Sequence, residues 1–168
     1  MGAVVQGPRA RPAPSGLTVQ SVFHEPEVHM QILSRPELLA PVRAMTNAMA
    51  ARVGLNDIDA CHLALALDEA LTNIIRHGYD SDRNGRIWIE MGPLALTQGL
   101  RIEIKDRARS VNPDELQGRD LEDIRPGGLG MHLMRTLVDR FEHANRPDGG
   151  MQIVLEKSST PASVSNAS

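Results

Sequence analysis

Glu69, Asn73 and His77 recur at intervals of four in the stretch LALDEALTNIIRHGYD, residues 65–80. At about 100° per residue, these three polar side chains form one stripe along a helix. Carboxylate and amide oxygens suit Mg²⁺, which completes its coordination with waters and phosphates. Asn73 is therefore a candidate metal ligand, and Glu69 could hold the ion's water or act as a base toward a hydroxyl nucleophile. The same stripe also fits a solvent-facing strip that ends in a histidine near the helix C-terminus.

A glycine-rich sequence, PGGLGMHLMRTLVD at 126–139, is the second candidate feature, because Gly127, Gly128 and Gly130 precede an amphipathic helical pattern. Successive glycines let backbone N–H groups close on an anion, and a helix N-terminus adds partial positive charge. No Gly-Lys-Ser/Thr follows, and no G-x-G-x-x-G follows a strand, so neither a Walker A loop nor a dinucleotide fingerprint is present. The segment is either a phosphate cradle or a plain hinge.

Asp106 is the third candidate, at the end of the alternating pattern LRIEIKD (100–106). A carboxylate at a strand end, over a cleft, can accept a hydrogen bond from an adenine amino group. The alternative is an aspartate that only starts a turn.

The periodicity of apolar residues predicts the elements that must position these candidates. Strands are expected at residues 17–25, 28–34, 85–91 and 100–106. Helices are expected at 37–53, from Asn56 or Asp57 to about His77 with Gly78 as the stop, and over GGLGMHLMRTLVDRF, residues 127–141. A closing hairpin is expected to turn at RPDGG, residues 146–150.

Helices followed by several antiparallel strands favour an α+β fold, in the form of a two-layer α/β sandwich with a mostly antiparallel sheet and helices on one face. Each helix then has one buried face. On the first helix, this face is expected to consist of Leu38, Val42, Met45 and Met49. On the second helix, it is expected to consist of Leu63, Leu67, Leu71 and Ile74.

The composition is that of a single soluble domain, expected at residues 18–157 between disordered segments at 1–17 and 158–168. The polar stretch 107–127 is expected to be a long functional loop. A formal net charge of −3 gives no electrostatic case for binding nucleic acid or an anionic membrane. No apolar run approaches the roughly 20 residues that span a membrane. The single cysteine excludes an internal disulfide and fits a cytoplasmic location.

In this order, the three features resemble the GHKL superfamily of ATPases and kinases, and within it the branch of anti-sigma-factor serine/threonine-protein kinases. LALDEALTNIIRHGYD is similar to that family's N box, E-x-x-x-N-x-x-x-H followed by a small residue and Tyr. DRARSVNPDEL stands in the place of the first glycine box, and RPGGLGMHLMRTLVDRFEH resembles the second. The resemblance spans about residues 28–157 and implies a Bergerat-type sandwich with ATP bound between the helices and a lid.

The resemblance also implies roles for individual residues. Asn73 would bind Mg²⁺, Glu69 would be the general base, and Asp106 would read the adenine. His77 would lie near the nucleotide. The further nucleotide contacts implied by the two glycine boxes are Ala108, Gly127, Gly128, Leu129, Gly130 and Met131. Ala108 departs from the family pattern D-x-G, because a glycine is usual there and an extra methyl group can weaken nucleotide binding.

The function implied by this resemblance is an ATP- and Mg²⁺-dependent serine/threonine protein kinase. It would sequester a sigma factor and phosphorylate a STAS-domain anti-anti-sigma factor, and such kinases are commonly homodimers. Within the family, the first helix can contribute to partner docking, and its exposed side is expected around Arg43, Thr46 and Asn47. The alternative is a binding module that keeps the fold with little or no kinase activity, which the altered segment at Ala108 favours.

Overall fold

The computed structural model describes residues 25–108 and 128–159, which form a five-stranded antiparallel sheet and three α-helices. The strands are β1 (Val28–Leu33), β2 (Arg86–Pro93), β3 (Gly99–Asp106), β4 (Arg140–Asn145) and β5 (Met151–Ser158). The helices are α1 (Leu39–Arg52), α2 (Asp57–Asn73) and α3 (Gly128–Leu137). A 3₁₀ turn at Pro36–Leu38 precedes α1, and a π-helical turn at Ile74–Gly78 continues α2.

The strand order is β1-β2-β3-β5-β4, so β3 is the central strand and its end lies in the middle of the sheet. All four neighbouring pairs are antiparallel, with Ile89 opposite Ile104 and Ile104 opposite Ile153 in the middle of the register. The α+β sandwich predicted from the sequence, with helices on one face of an antiparallel sheet, is confirmed.

One apolar core lies between the helices and the sheet, and α2 contributes its centre. Leu63, Leu67 and Leu71 are fully buried, as the second-helix pattern predicts. The alternating strand residues meet them from the sheet: Ile87, Ile89, Met91, Leu100, Ile102 and Ile104 are all 0% exposed. Burial of a large aliphatic side chain contributes about 1.5–3 kcal/mol, so this layer holds α2 firmly against the sheet, where it packs on β5.

The buried face of α1 differs from the prediction at Leu38 and at Met45. Leu38 is only half-buried and lies in the 3₁₀ turn before the helix. Met45 is 43% exposed, whereas Thr46, expected on the exposed side, is fully buried. The helix buries Val42, Thr46 and Met49, so its inner face follows i, i+4, i+7 from Val42. Thr46 can be buried because its hydroxyl donates to the backbone carbonyl of Val42 at 3.0 Å, which satisfies the polar group inside the helix.

Local signals explain most of the boundaries. Asn56 caps α2 by accepting a hydrogen bond from the Asp59 amide at 2.9 Å, as predicted. The third helix ends at Leu137, four residues before the expected end at 141, because Arg140 and Phe141 pair with β5 as the start of β4. β5 reaches Ser158, one residue beyond the expected domain end. The strand expected at 17–25 lies outside the described residues except for Glu25, which is not in a strand. The expected disordered segment 1–17, the loop at 109–127 and the tail from residue 160 also lie outside the described residues.

The face of the sheet that points away from the helices is covered by a ladder of ion pairs. The ladder crosses all five strands: His29 contacts Glu90 at one end, and from Glu90 the charges alternate in sign through Lys105, Glu103, Arg101, Glu156, Arg140 and Glu142. Its central members are largely buried, with side-chain exposures of 11% for Arg101 and 9% for Glu156. The charged side chains on this face of the sheet therefore pair with one another. Within the described ranges, no helix is long and apolar enough to cross a membrane.

Candidate functional site

Glu69 and Asn73 lie one turn apart near the C-terminal end of α2, and both are half-buried. The Asn73 amide Nδ2 donates to Glu69 Oε1 at 3.1 Å. An ionised carboxylate can only accept, so this bond fixes the orientation of the amide and directs its carbonyl oxygen Oδ1 away from Glu69. Two members of the polar stripe, Glu69 and Asn73, therefore form a carboxylate–amide pair in which the amide oxygen of Asn73 points away from Glu69.

The Glu69 carboxylate lies directly against Gly130 in the first turn of α3. A methyl group on Gly130 would overlap Glu69 Oε1 and crowd the carboxyl group, so the Glu69 side chain would have to move away from its present position to make room for it. This contact brings the N-box helix and the glycine-rich helix together, and α2 and α3 pack along their length. The first backbone N–H groups of a helix have no partner within it and attract negative charge, so the paired residues lie beside an anion-favouring helix end.

Gly130→Ala is expected to destabilise the protein by about 1–3 kcal/mol, because the added methyl group displaces a packed carboxylate. An ordinary glycine-to-alanine change inside a helix has the opposite sign and stabilises by about 0.5–1 kcal/mol. Urea unfolding of four proteins measures the effect: the wild type, Gly130→Ala, Glu69→Ala and the double variant. In the Glu69→Ala background the destabilisation should disappear. An equal loss in both backgrounds would show that Glu69 is not the group that needs Gly130.

The helix changes its winding directly after Asn73. Residues Ile74–Gly78 form a π-helical turn, closed by the Tyr79 amide donating to the Ile74 carbonyl at 2.9 Å. Such turns are rare and occur often at functional sites, because they turn the following side chains relative to a regular helix. The turn begins at the candidate metal ligand and ends against the strand end that carries Asp106. It thus joins the two halves of the site.

Asp106, the last residue of β3, is 2% exposed. Its Oδ1 accepts two backbone hydrogen bonds, from Ala108 N at 2.8 Å and Met151 N at 3.2 Å. Within the described part of the chain, Oδ2 has no hydrogen-bond donor. Burial is the largest influence on this carboxyl group and raises its pKa, although the two amides and the charge of Arg146 act in the opposite direction. A buried carboxylate held by one oxygen, with the other oxygen available, is suited to accept from an amino group of a ligand.

Two residues of the closing hairpin also hold this strand end, although the sequence RPDGG indicates only a turn. Gly150, at φ +82°, lies so close to the backbone of Asp106 and Arg107 that no side chain fits there. Arg146 donates from Nη1 to the Asp106 carbonyl at 3.1 Å. The neighbouring Gly149 also has a positive φ, +90°, but nothing lies within 4 Å of the position of its missing side chain. Gly150 is therefore required for two reasons, its positive φ and the close approach, whereas Gly149 is required only for its positive φ.

Tyr79 is a further positioning residue that the sequence patterns did not single out. Its hydroxyl donates to the Arg86 carbonyl at 2.5 Å and accepts from the Arg107 amide at 3.0 Å, so it joins the start of β2 to the residue after Asp106. Burial raises the pKa of this hydroxyl, which keeps it protonated and able to donate. Its ring packs on Gly85, where any side chain would collide with it. The sequence signal that could have identified Tyr79 is its place in the N-box pattern, where a Tyr follows the histidine and a small residue.

Tyr79→Phe is expected to lower the free energy of unfolding by about 1–3 kcal/mol, because it leaves the Arg107 amide and the Arg86 carbonyl without their shared partner. Chemical denaturation measures this loss. Thr136→Ala is the control: its exposed hydroxyl bonds only to the His132 carbonyl of its own helix, and its removal should change stability by less than about 0.5 kcal/mol. Equal stability of Tyr79→Phe and the wild type would remove the bridging role.

The remaining predicted residues are placed as follows. His77 is exposed at the end of the π-helical turn, and Met131 is half-buried in the first turn of α3. Gly128 is the first residue of α3, and Leu129 follows it in the same helix. Ala108 is buried, two residues beyond the strand end. Gly127 lies outside the described residues. No group of three or more His, Cys, Asp or Glu side chains within the described ranges could hold a metal by itself, so a metal here would need further ligands.

The comparisons with known proteins agree with this geometry. Residues 32–157 match the family model for the histidine kinase-like ATPase domain. The chain is 27% identical over 138 residues to the serine-protein kinase RsbW of Bacillus subtilis (strain 168), an alignment that covers 77% of this chain and 84% of that protein. It is likewise 27% identical over 138 residues to the serine-protein kinase RsbW of Listeria innocua, covering 78% of this chain and 86% of that one.

A solved structure is also similar in its backbone. The crystal structure of the RsbU and RsbW domains of a Mycobacterium tuberculosis protein superposes with a TM-score of 0.57 at 20% sequence identity. The match covers 78% of this chain and 32% of that one, so this chain corresponds to about a third of the larger protein. At that identity the likeness supports the fold alone.

Proposed function

Because the chain belongs to the histidine kinase-like ATPase domain family, we propose that it binds Mg·ATP and transfers the γ-phosphoryl group to a serine or threonine of a partner protein. Members of this family use ATP, normally with Mg²⁺, and the relatives named above are serine-protein kinases. The observation that carries the proposal is the Glu69–Asn73 pair, which lies against Gly130 at the start of α3. The helix that carries this pair continues into the π-helical turn, which ends near the buried Asp106. One stretch of helix would therefore reach both the phosphate end and the adenine end of a nucleotide.

Asn73 fits the requirement for a magnesium ligand. Its Nδ2 is committed to Glu69, and its Oδ1 is the kind of neutral oxygen donor that Mg²⁺ accepts beside waters and phosphates. The ion would neutralise charge on the phosphates. The first N–H groups of α3, at Gly128, Leu129, Gly130 and Met131, would donate to the phosphate oxygens, together with Gly127. Asp106 would accept from the adenine amino group, and His77 would border the nucleotide from the exposed end of the π-helical turn.

Glu69 is the proposed general base of the reaction. The partner's hydroxyl oxygen attacks the γ-phosphorus, the bond from that phosphorus to the bridging oxygen of ADP breaks, and the hydroxyl proton passes to the Glu69 carboxylate. In the described structure, Glu69 accepts one hydrogen bond from Asn73, which orients the carboxylate and leaves its second oxygen available to the substrate. The role requires a charged acceptor at this place, since a hydroxyl group at neutral pH is a weak nucleophile.

The proposed phosphorylation target is a STAS-domain anti-anti-sigma factor, and the proposed sequestered partner is a sigma factor. This assignment rests on the similarity to the serine-protein kinases named RsbW and on the family resemblance of the motifs. We place the protein in the cytoplasm as a homodimer, as the resemblance implies. The ion-pair ladder across the open sheet face leaves the helical side as the better candidate for partner contacts, with Arg43 and Asn47 exposed on α1.

A second candidate function is a regulator that binds partners without transferring phosphate. The observation that favours it is Ala108, which occupies the position where the family pattern has glycine, next to the adenine-reading carboxylate. In that case the protein would keep the Glu69–Asn73 pair but fail to bind ATP at millimolar concentration.

Phosphotransfer from labelled ATP decides between the two. STAS-domain proteins recovered by pull-down with the full chain are incubated with Mg·ATP, and phosphate on serine or threonine is measured. The proposed kinase transfers label only when Mg²⁺ is present. Label absent from every STAS protein that binds the chain would support the regulator instead. Label retained without Mg²⁺ would contradict the metal role of Asn73.

A further inference from the structure

The buried methyl group of Ala108 lies directly over Gly78, the last residue of the π-helical turn. A Cβ built on Gly78 would sit 2.8 Å from the Ala108 Cβ, far inside the normal separation of two methyl carbons. Gly78 does not have a positive φ, so its backbone conformation alone would tolerate alanine. The requirement for glycine at 78 therefore comes from the methyl group at 108.

From this contact we infer that Gly78 and Ala108 form one matched pair that sets the position of the adenine-reading Asp106. The space at this junction holds one methyl group, and this chain places it on residue 108 instead of residue 78. The family pattern permits the opposite arrangement, with the methyl group at position 78, because it has glycine at position 108 and a small residue at position 78. The alanine in the first glycine box is then an accommodated exchange, and it does not mark a lost nucleotide site. This inference rests on the proposed function.

The pair can act on Asp106 because the backbone connects them rigidly. The Ala108 amide donates to Asp106 Oδ1 at 2.8 Å, two residues away. On the other side of the same strand end, Gly150 and Arg146 hold the Asp106 backbone, so the carboxylate cannot follow a displaced residue 108 freely. A methyl group added at 78 must push residue 108 outward or bend the π-helical turn. Either movement would disturb the bond from the Ala108 amide to Asp106 Oδ1 and thereby the orientation of the carboxylate.

A reciprocal exchange tests the pair. Four proteins are compared, each as the full chain: the wild type, Gly78→Ala, Ala108→Gly and the double variant Gly78→Ala/Ala108→Gly. Gly78→Ala/Ala95→Gly is the matched control, because Ala95 lies in the turn between β2 and β3 and also loses one methyl group. Unfolding temperature is measured without nucleotide, and the affinities for Mg·ATP and Mg·GTP are measured by calorimetry.

Gly78→Ala should lower the unfolding temperature and weaken ATP binding at least tenfold, with a smaller effect on GTP, so that the ATP-to-GTP affinity ratio falls. The double variant should recover the ratio to within about threefold of the wild type, and the Ala95 control should not. A purely structural defect would lower both affinities equally. The inference is overturned if Gly78→Ala behaves like the wild type, or if Ala108→Gly fails to rescue it. Should Gly78→Ala fail to fold, recovery of folding and of the ratio in the double variant remains the deciding result.

Failure of the proposed function gives a different pattern. A wild-type chain that binds neither nucleotide contradicts both the kinase and the adenine role of the pair. The unfolding temperatures of the five proteins would still decide whether the two positions share one methyl-sized space. If ATP binds the wild type and the ratio is unchanged across all variants, the proposed function stands and the inference about Asp106 falls.

Discussion

Replacing Glu69 by glutamine is expected to reduce phosphotransfer at least 10²-fold while leaving Mg·ATP affinity within about threefold of the wild type. The glutamine side chain keeps an oxygen that can accept from Asn73, so the pair that orients the proposed metal ligand survives. It loses the negative charge needed to take the hydroxyl proton. The substitution therefore separates the chemical step from nucleotide binding, and single-turnover transfer of labelled phosphate to the partner measures it.

Asp68→Asn is the matched control for this prediction. Asp68 precedes Glu69 on α2 but forms an ion pair with Arg43 on the α1 side, away from Gly130. Its amide variant should transfer phosphate at the wild-type rate once the partner is bound. Undiminished phosphotransfer by Glu69→Gln would remove Glu69 from the role of base. A parallel loss of ATP affinity would show instead that its charge serves binding.

Asp106→Asn is expected to weaken ATP binding by about 10- to 100-fold and, at neutral pH, to raise the stability of the protein. A hydrogen bond to a charged group contributes about 1.5–3 kcal/mol, and an amide nitrogen in place of Oδ2 cannot accept from adenine. The two backbone bonds to Oδ1 survive, because the amide oxygen can accept them. Stability should rise although ATP binding weakens, because burying the charged carboxylate of Asp106 costs free energy and burying a neutral amide costs less.

The pH dependence follows from the direction of the same pKa shift. Burial raises the pKa of Asp106 in the folded state, so the folded protein binds this proton more tightly than the unfolded chain. The contribution of Asp106 is therefore fully present below the unfolded pKa and is lost as the pH rises through the higher folded pKa. Above the folded pKa, the ionised carboxyl group lowers the free energy of unfolding. Asp106→Asn should remove this pH-dependent decrease, which urea unfolding at several pH values measures.

Asp59→Asn is the control with the opposite expectation. Asp59 is similarly buried, at 4% exposure, but it pairs with Lys157 at 3.3 Å. Asp59→Asn removes this buried ion pair and leaves Lys157 with Asp139, at 3.2 Å, as its remaining carboxylate partner, so this variant should be destabilised while ATP affinity is unchanged. If Asp106→Asn instead lost stability and kept its ATP affinity, Asp106 would be a structural residue and the adenine assignment would be wrong.

Much of the fold follows from sequence periodicity because the core is built from regular patterns. The alternation of Ile87, Ile89 and Met91 and the helical spacing of Leu63, Leu67 and Leu71 each match the observed burial. The exception on α1 has a physical cause: hydrophobicity favours Met45 over Thr46 inside, but a helix lets a threonine hydroxyl bond to its own backbone. The orientation of the helix is then set by Val42 and Met49 together.

The candidate site was predictable only where its residues are close in sequence. Glu69 and Asn73 share one helix face, so their spacing already indicates that they meet. The contacts at Asp106 join residues far apart in the chain: Arg146 lies 40 residues away and Met151 lies 45 residues away. No local pattern in RPDGG shows that Gly150 must approach β3 this closely. The same holds for Gly78 and Ala108, whose match appears only when the strand end and the π-helical turn are placed together.

Calorimetric titration of the wild-type chain with ATP, with and without Mg²⁺, tests the central claim most directly, since Asn73, Asp106 and α3 are all proposed to hold one nucleotide. We expect saturable binding of one ATP per chain below millimolar concentration. Removing Mg²⁺ should weaken this binding at least tenfold, and Asp106→Asn should also weaken it at least tenfold. No saturable binding at millimolar ATP, or binding that is indifferent to both Mg²⁺ and Asp106, would contradict the account.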